Sequence, residues 1–217
     1  ITNSNVAIYK DSSGVLQIEG GNINCNNGKN EGYGIQVSTN ASGRINVNNG
    51  KINAGYAGII SDSKQESIIT VNGGTIDTGV VGIWSKNYTS TITNGGKIKG
   101  IYGLLQEATN GVMNVVGTTN IEATYGIEIR NTASVLLGEN ANITSTSEGI
   151  ISQSSGGITV SDNSIINGQN GTGVHGNSSG PVIISGGTIT GETAIRRSGN
   201  GTVTISGGKM TGTGNGI

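Results

Sequence analysis

Short runs in which aliphatic and polar residues alternate recur along the whole chain, and glycines interrupt every stretch that could hold a helical period. Alternation of this kind marks a half-buried strand. The runs come in a fixed order. One precedes a glycine turn, as Val203 and Ile205 precede Gly207-Gly208. A second surrounds an aliphatic placed two residues beyond the turn, and a third surrounds a Gly-aliphatic pair. The turn phrases are "IEGG", "VNNG", "VNGG", "TNGG" and "ISGG", the last occurring twice. They are followed by Ile23, Ile52, Ile76, Ile98, Ile189 and Met210. Where the double glycine is missing, the same place is read as Ile121, Ile143 and Ile165.

The Gly-aliphatic pairs set the period. They are Gly34-Ile35, Gly58-Ile59, Gly82-Ile83, Gly103-Leu104, Gly126-Ile127, Gly149-Ile150, Gly173-Val174, Ala194-Ile195 and Gly216-Ile217. Successive members lie 24, 24, 21, 23, 23, 24, 21 and 22 residues apart. A fixed period of this size marks a repeat architecture. Asn-Gly between alternating runs also suits hairpins, but a meander fails on parity. Three strands per repeat would reverse strand direction from one repeat to the next, and equivalent positions could not stack in one orientation.

The pattern therefore predicts an all-β, right-handed parallel β-helix of about nine coils, each of ~23 residues with three strands. The hand follows from the preference of parallel crossovers. Rungs ~4.8 Å apart make a rod on the order of 43 Å long. Each coil is expected to turn about five or six small aliphatics inward. "NNGKNEGYG", between Ile23 and Ile35, reads as a loop protruding from one corner. Residues 1–217 read as a single β-helix segment, a piece of a longer rod, because neither end carries the cap that a solenoid needs.

Composition sharpens this picture. The chain has 40 Gly, one Pro, no Phe and a single Trp, with 12% charged residues and a formal net charge of −1. Low net charge together with abundant Ile and Val argues for order rather than disorder. Near-neutrality supplies no basic face for nucleic acid. No apolar run approaches the ~20 residues of a membrane-spanning helix. Cys25 is the sole cysteine, so it builds no disulfide framework and no cysteine zinc site. It falls where other coils carry Ala54, Thr78, Gly100, Ala123 and Ser145, a small residue at a tight corner.

Candidate chemistry is sparse. "GTGVHG" has the spacing of a dinucleotide fingerprint, but a turn and a strand follow it where a helix is required. His175 and Arg196 each follow their column aliphatic and should stack on adjacent rungs, with Arg197 beside them, on an outer face that is either simply solvated or a glycan or anion contact. Four Asp residues lie on different coils, and no acid pair marks a glycosidase cleft. Catalytic, metal-ligating and cofactor-binding residues are therefore expected to be none. Asp62, Lys86, Glu107 and Arg130 alternate in sign on successive coils, as do Asp77, Lys99 and Glu122. Like charges would be opposed if a rung slipped.

The column of His175 and Arg196 also holds Ile60, Trp84 and Leu105. This outward apolar strip is either covered by another part of the chain or open as a docking surface, since aromatics are enriched at binding hot spots.

"VNGGTIDTGVVGI", "ISGGTITGETAI" and "ISGGKMTGTGNGI" resemble the passenger repeats of bacterial autotransporter adhesins. The resemblance implies a non-catalytic stalk or binding segment at the bacterial cell surface or outside the cell. Its partner would be a protein or glycan of a host or neighbouring cell, and a C-terminal region beyond this chain would attach it to the membrane. The alternative is a carbohydrate-active β-helix, such as a polysaccharide lyase or a phage tailspike.

Overall fold

A computed structural model describes residues 5–26 and 31–214, and every helix or strand among them is a strand. Two sheets wrap one axis, of nine and fourteen strands, and paired strands are parallel. The nine-stranded sheet takes one strand per coil, from Leu16–Ile18 to Val203–Ile205. It is built from the runs that precede the turns. The fourteen-stranded sheet takes both other runs. In Lys97–Ala108, Asn120–Asn131, Ile165–Gly176 and Thr188–Arg197 these two runs fuse into one long strand. The parallel β-solenoid of about nine coils is thus as the repeat predicts. The corner loop after Ile23 includes residues 27–30, which lie outside the described residues, as does the Gly216-Ile217 pair.

Columns run in register through the rod. Ile52, Ile76, Ile98, Ile121, Ile143, Ile166, Ile189 and Met210 stack in turn. Parallel to them run Ile35, Ile59, Ile83, Leu104, Ile127, Ile150, Val174 and Ile195. All but Met210 are buried.

One expected member is displaced. Ile166, not Ile165, occupies its column, and Ile165 points outward at 46% exposure. The corner chemistry explains the shift. With a glycine turn, five residues separate the core positions, as from Val71 to Ile76, and the closing glycine takes a left-handed φ, 81° at Gly74. Three corners instead span six residues: Val115 to Ile121, Leu137 to Ile143 and Val160 to Ile166. Gly117, Glu139 and Asp162 supply the positive φ there, and Thr119, Ala141 and Ser164 tuck inside.

The Gly-aliphatic pairs have a steric cause. A Cβ on Gly126 would lie 2.3 Å from Ile143 Cγ2 and 2.4 Å from the Gly149 carbonyl oxygen, both on the next coil. Gly34, Gly58, Gly82, Gly103, Gly149 and Gly173 face Ile52, Ile76, Ile98, Ile121, Ile166 and Ile189 in the same way. Ala194 breaks the pattern, and the next coil carries Met210 in the isoleucine column. Methionine has no Cγ2 to collide with.

The interior is not wholly aliphatic. Ser61, Ser85 and Gln106 turn inward at one corner. Ser61 Oγ meets Thr89 Oγ1 at 2.7 Å, Ser85 Oγ meets Thr91 Oγ1 at 2.6 Å, and Gln106 Nε2 donates to the Thr89 carbonyl at 2.6 Å. This buried polar seam is stable because its groups find partners inside the wall.

The charge columns pair much as their signs suggest. Lys86 reaches Asp62 at 2.9 Å, and Arg130 contacts Glu107. Glu122 takes Lys97 at 2.6 Å and Lys99 at 3.2 Å, whereas Asp77 meets Lys51 at 3.6 Å.

Gly126→Ala is expected to destabilise the fold by about 1–3 kcal/mol or more through overpacking. Ile143→Met, which removes the obstructing methyl, should recover part of that loss. Thermal unfolding of the single and double variants checks both. The hydrogen bond from Lys97 holds the Glu122 carboxyl below its ordinary 4.5, with Lys99 adding to it and desolvation opposing. A lowered folded pKa contributes stability above the unfolded value, and this is lost as pH falls through the folded one. The stability difference between wild type and Glu122→Gln should therefore be full near neutral pH and shrink as the pH falls below the ordinary carboxylate range, as followed by denaturant unfolding.

Candidate functional site

The residue before each column glycine forms an outward column. Tyr33, Ala57, Val81, Tyr102 and Tyr125 occupy it in order. The outward position after each column aliphatic forms a second, through Gln36, Ile60, Trp84, Leu105 and Glu128. Between the two lies an apolar cluster outside the solenoid wall. Its buried members are Ala57, Ile60, Val81 and Leu105, and Tyr33, Tyr56, Val80, Trp84 and Tyr102 pack against them.

The apolar strip is thus covered from within the chain. Ile60 is 2% exposed and Leu105 4%, so neither is open for docking. Small residues at 57 and 81 leave room for rings to fold over them. Trp84 is half-buried and fully engaged. Its Nε1 donates to Glu107 Oε2 at 2.9 Å, and Lys86 Nζ sits 3.9 Å from the ring centroid, a cation–π contact.

What faces outward is a row of tyrosine edges. Tyr33 meets Tyr56 edge-on at 5.7 Å between centroids, and Tyr56 lies 6.2 Å from Trp84. Tyr102 stacks on Tyr125 at 5.1 Å. Tyr33 and Tyr56 also line a shallow groove with Asn5, Glu31 and Gly32. Burial, and then the charge of Glu128, push the Tyr102 phenol above its ordinary value, so it stays a neutral hydroxyl at physiological pH. Glu107 and Glu128 both accept from Arg130, the latter at 2.7 Å.

Higher on the same face, His175 and Arg196 stack on adjacent rungs, as their spacing predicts. The solvated surface expected for His175 is not what it occupies. It is 7% exposed, held between Glu148 Oε1 at 2.8 Å from Nδ1 and Ser198 Oγ at 2.9 Å from Nε2. Arg196 is exposed, as expected.

Arg197 turns back into the corner. Its Nε donates to the Gly199 carbonyl at 3.1 Å, Nη1 to that of Gly180 at 2.9 Å, and Nη2 to that of Ser178. Lys10 does the same in the first described coil, donating to the Ser12 and Ser42 carbonyls at 2.5 and 2.6 Å. Both occupy the inward position two residues after a column aliphatic, where side chains can reach loop carbonyls. The paired arginines thus divide into one structural residue, Arg197, and one surface cation, Arg196, with no ion pair among the described residues.

Sequence reasoning placed Ile60, Trp84, Leu105, His175 and Arg196 in the correct column and missed the tyrosines, Glu148 and Ser198. A signal was present: Tyr33, Tyr102, Tyr125 and Glu148 each stand directly before a column glycine. No protein family, curated protein or solved structure matches the chain. Its class, a parallel β-solenoid, rests on its own strand register. Among the described residues, no group of three His, Cys, Asp or Glu is placed to hold a metal ion.

Arg197→Ala should leave the Gly180 and Gly199 carbonyls without their donor, the Ser178 carbonyl keeping the Gly201 N–H, and cost about 1–3 kcal/mol. Arg196→Ala, a surface change, should stay within about 0.5 kcal/mol of wild type. Chemical denaturation of the two variants side by side distinguishes these roles.

Proposed function

We propose that the chain is an extended, surface-displayed binding segment of a bacterial adhesin, and that its aromatic corner engages a protein or glycan on a host or neighbouring cell. The observation that carries this reading is the concentration of aromatic side chains. Five of the seven in the chain, Tyr33, Tyr56, Trp84, Tyr102 and Tyr125, make ring contacts along one corner. A core needs no aromatics in that place, because Ile and Val already fill the solenoid. Tyrosine adds large amphipathic contact area at little conformational cost, as binding surfaces require.

Charge borders the rings through Lys86, Glu107, Glu128 and Arg130, and polar rims surround many binding hot spots. The carboxylates there are committed to Arg130 and Trp84, which favours binding without turnover over glycoside cleavage. The style of the repeats supports export and display, with membrane attachment by a C-terminal region.

Binding of the intact chain to epithelial cells, to bacteria and to a glycan array provides the test. Tyr56→Ala and Tyr125→Ala should each weaken binding about tenfold or more, the loss typical of a hot-spot residue, while thermal unfolding stays cooperative. Equal binding by both variants, or no binding by wild type to any of these surfaces, would sink the proposal.

A further inference from the structure

We propose that Ser198, His175 and Glu148 form a nucleophile–base–acid relay that hydrolyses short-chain acyl esters on the open flank of the solenoid. The three residues come from three successive coils, beside Gly149-Ile150, Gly173-Val174 and Ala194-Ile195. Ser198 Oγ lies 2.9 Å from His175 Nε2, and Glu148 Oε1 lies 2.8 Å from His175 Nδ1. A hydroxyl on one ring nitrogen and a carboxylate on the other is the signature of an activated serine.

The carboxylate fixes the tautomer. Glu148 accepts the Nδ1 proton, so Nε2 is left to accept from the Ser198 hydroxyl. Of the three, the nucleophile is the one that a substrate can reach. His175 is nearly enclosed, the Glu148 side chain is 17% exposed, and Ser198 is open to solvent. Strand register fixes the imidazole from both sides, since His175 pairs with Ile151 below and Arg196 above.

The step balances with water as co-reactant. Ser198 Oγ attacks the ester carbonyl carbon while its proton passes to His175 Nε2, and Glu148 stabilises the imidazolium. The tetrahedral intermediate collapses, the ester C–O bond breaks, and the leaving alcohol takes the proton from Nε2. Water then attacks the acyl carbon, giving its proton to Nε2; the acyl C–Oγ bond breaks, Nε2 returns the proton to Ser198 Oγ, and the carboxylic acid leaves.

The backbone N–H groups of Ser198 and Gly199 both donate to the Gly176 carbonyl, so they are not free for the oxyanion. Arg196 takes that role. It projects from the same outward face two residues before Ser198, exposed and with no hydrogen bond or ion pair among the described residues. One flexible cation is a weaker stabiliser than two fixed donors, so turnover is expected to be slow. The neighbouring outward residues Thr172, Thr193 and Asn177 are polar, and this favours a short acyl group over a long apolar chain.

The proposal is independent of the aromatic corner. Its test uses the whole chain with a fluorophosphonate probe and p-nitrophenyl acetate. The probe should form an adduct that maps to Ser198 and is absent from Ser198→Ala. Ester hydrolysis should fall about 100-fold or more in Ser198→Ala and His175→Gln, as loss of a nucleophile or general base does. Arg196→Gln should lower turnover about tenfold without altering thermal unfolding. Ser198 is exposed, so Ser198→Ala keeps the fold and decides the matter even if His175→Gln does not. Absence of an adduct at Ser198, or hydrolysis by Ser198→Ala equal to wild type, would overturn the assignment.

Discussion

Where one coil passes the next at its Gly-aliphatic pair, the backbones approach too closely for a side chain. The glycine Cα faces the Cγ2 methyl of an isoleucine and a carbonyl oxygen, both on the coil above. A methyl group added at the glycine has nowhere to go. This contact recurs from Gly34 to Gly173 and couples two columns that lie on different strands. It ties the period of the sequence to the rise of the rod, because a coil one residue out of step would bring a side chain into that gap. Met210 standing above Ala194 is consistent with the same rule.

Register fixed in this way turns a linear sequence into ladders. Residues about 23 apart become neighbours across a rung, and their chemistry combines. Opposite charges meet as Lys86 with Asp62 and as Lys97 and Lys99 with Glu122. Rings gather from Tyr33 to Tyr125 along one corner, and further along the same face come polar residues, Glu148 in the tyrosine column and Glu128, His175 and Arg196 in the other. The solenoid interior needs only small aliphatics, so each outward column is free to specialise. The cluster of aromatic rings and the hydrogen-bonded set of Ser198, His175 and Glu148 occupy different stretches of one such face.

Much of this was legible without coordinates. The glycine spacing gave the coil, its length and the stacking of Trp84 on Ile60 and Leu105. Ile165 was misassigned because two adjacent isoleucines satisfy the same pattern, and only the six-residue corner at Asp162 decides between them. The inward polar seam was hidden, since Ser61, Ser85 and Gln106 look like surface residues when burial is judged by polarity alone. Burial of Ile60 and Leu105 depends on tyrosines from neighbouring columns folding over them, and periodicity carries no information on side-chain direction across columns. The His175 relay joins residues 23 to 27 apart. Column arithmetic could align them, but hydrogen-bond geometry requires side-chain positions.

The dependence of the fold on the glycine–isoleucine contact is most directly measured by nuclear Overhauser effects between coils. Cross-peaks should join the Cγ2 methyls of Ile76, Ile98, Ile121, Ile143 and Ile166 to the Hα protons of Gly58, Gly82, Gly103, Gly126 and Gly149, in that order. Their absence, with backbone contacts showing antiparallel pairing between strands adjacent in sequence, would contradict the account.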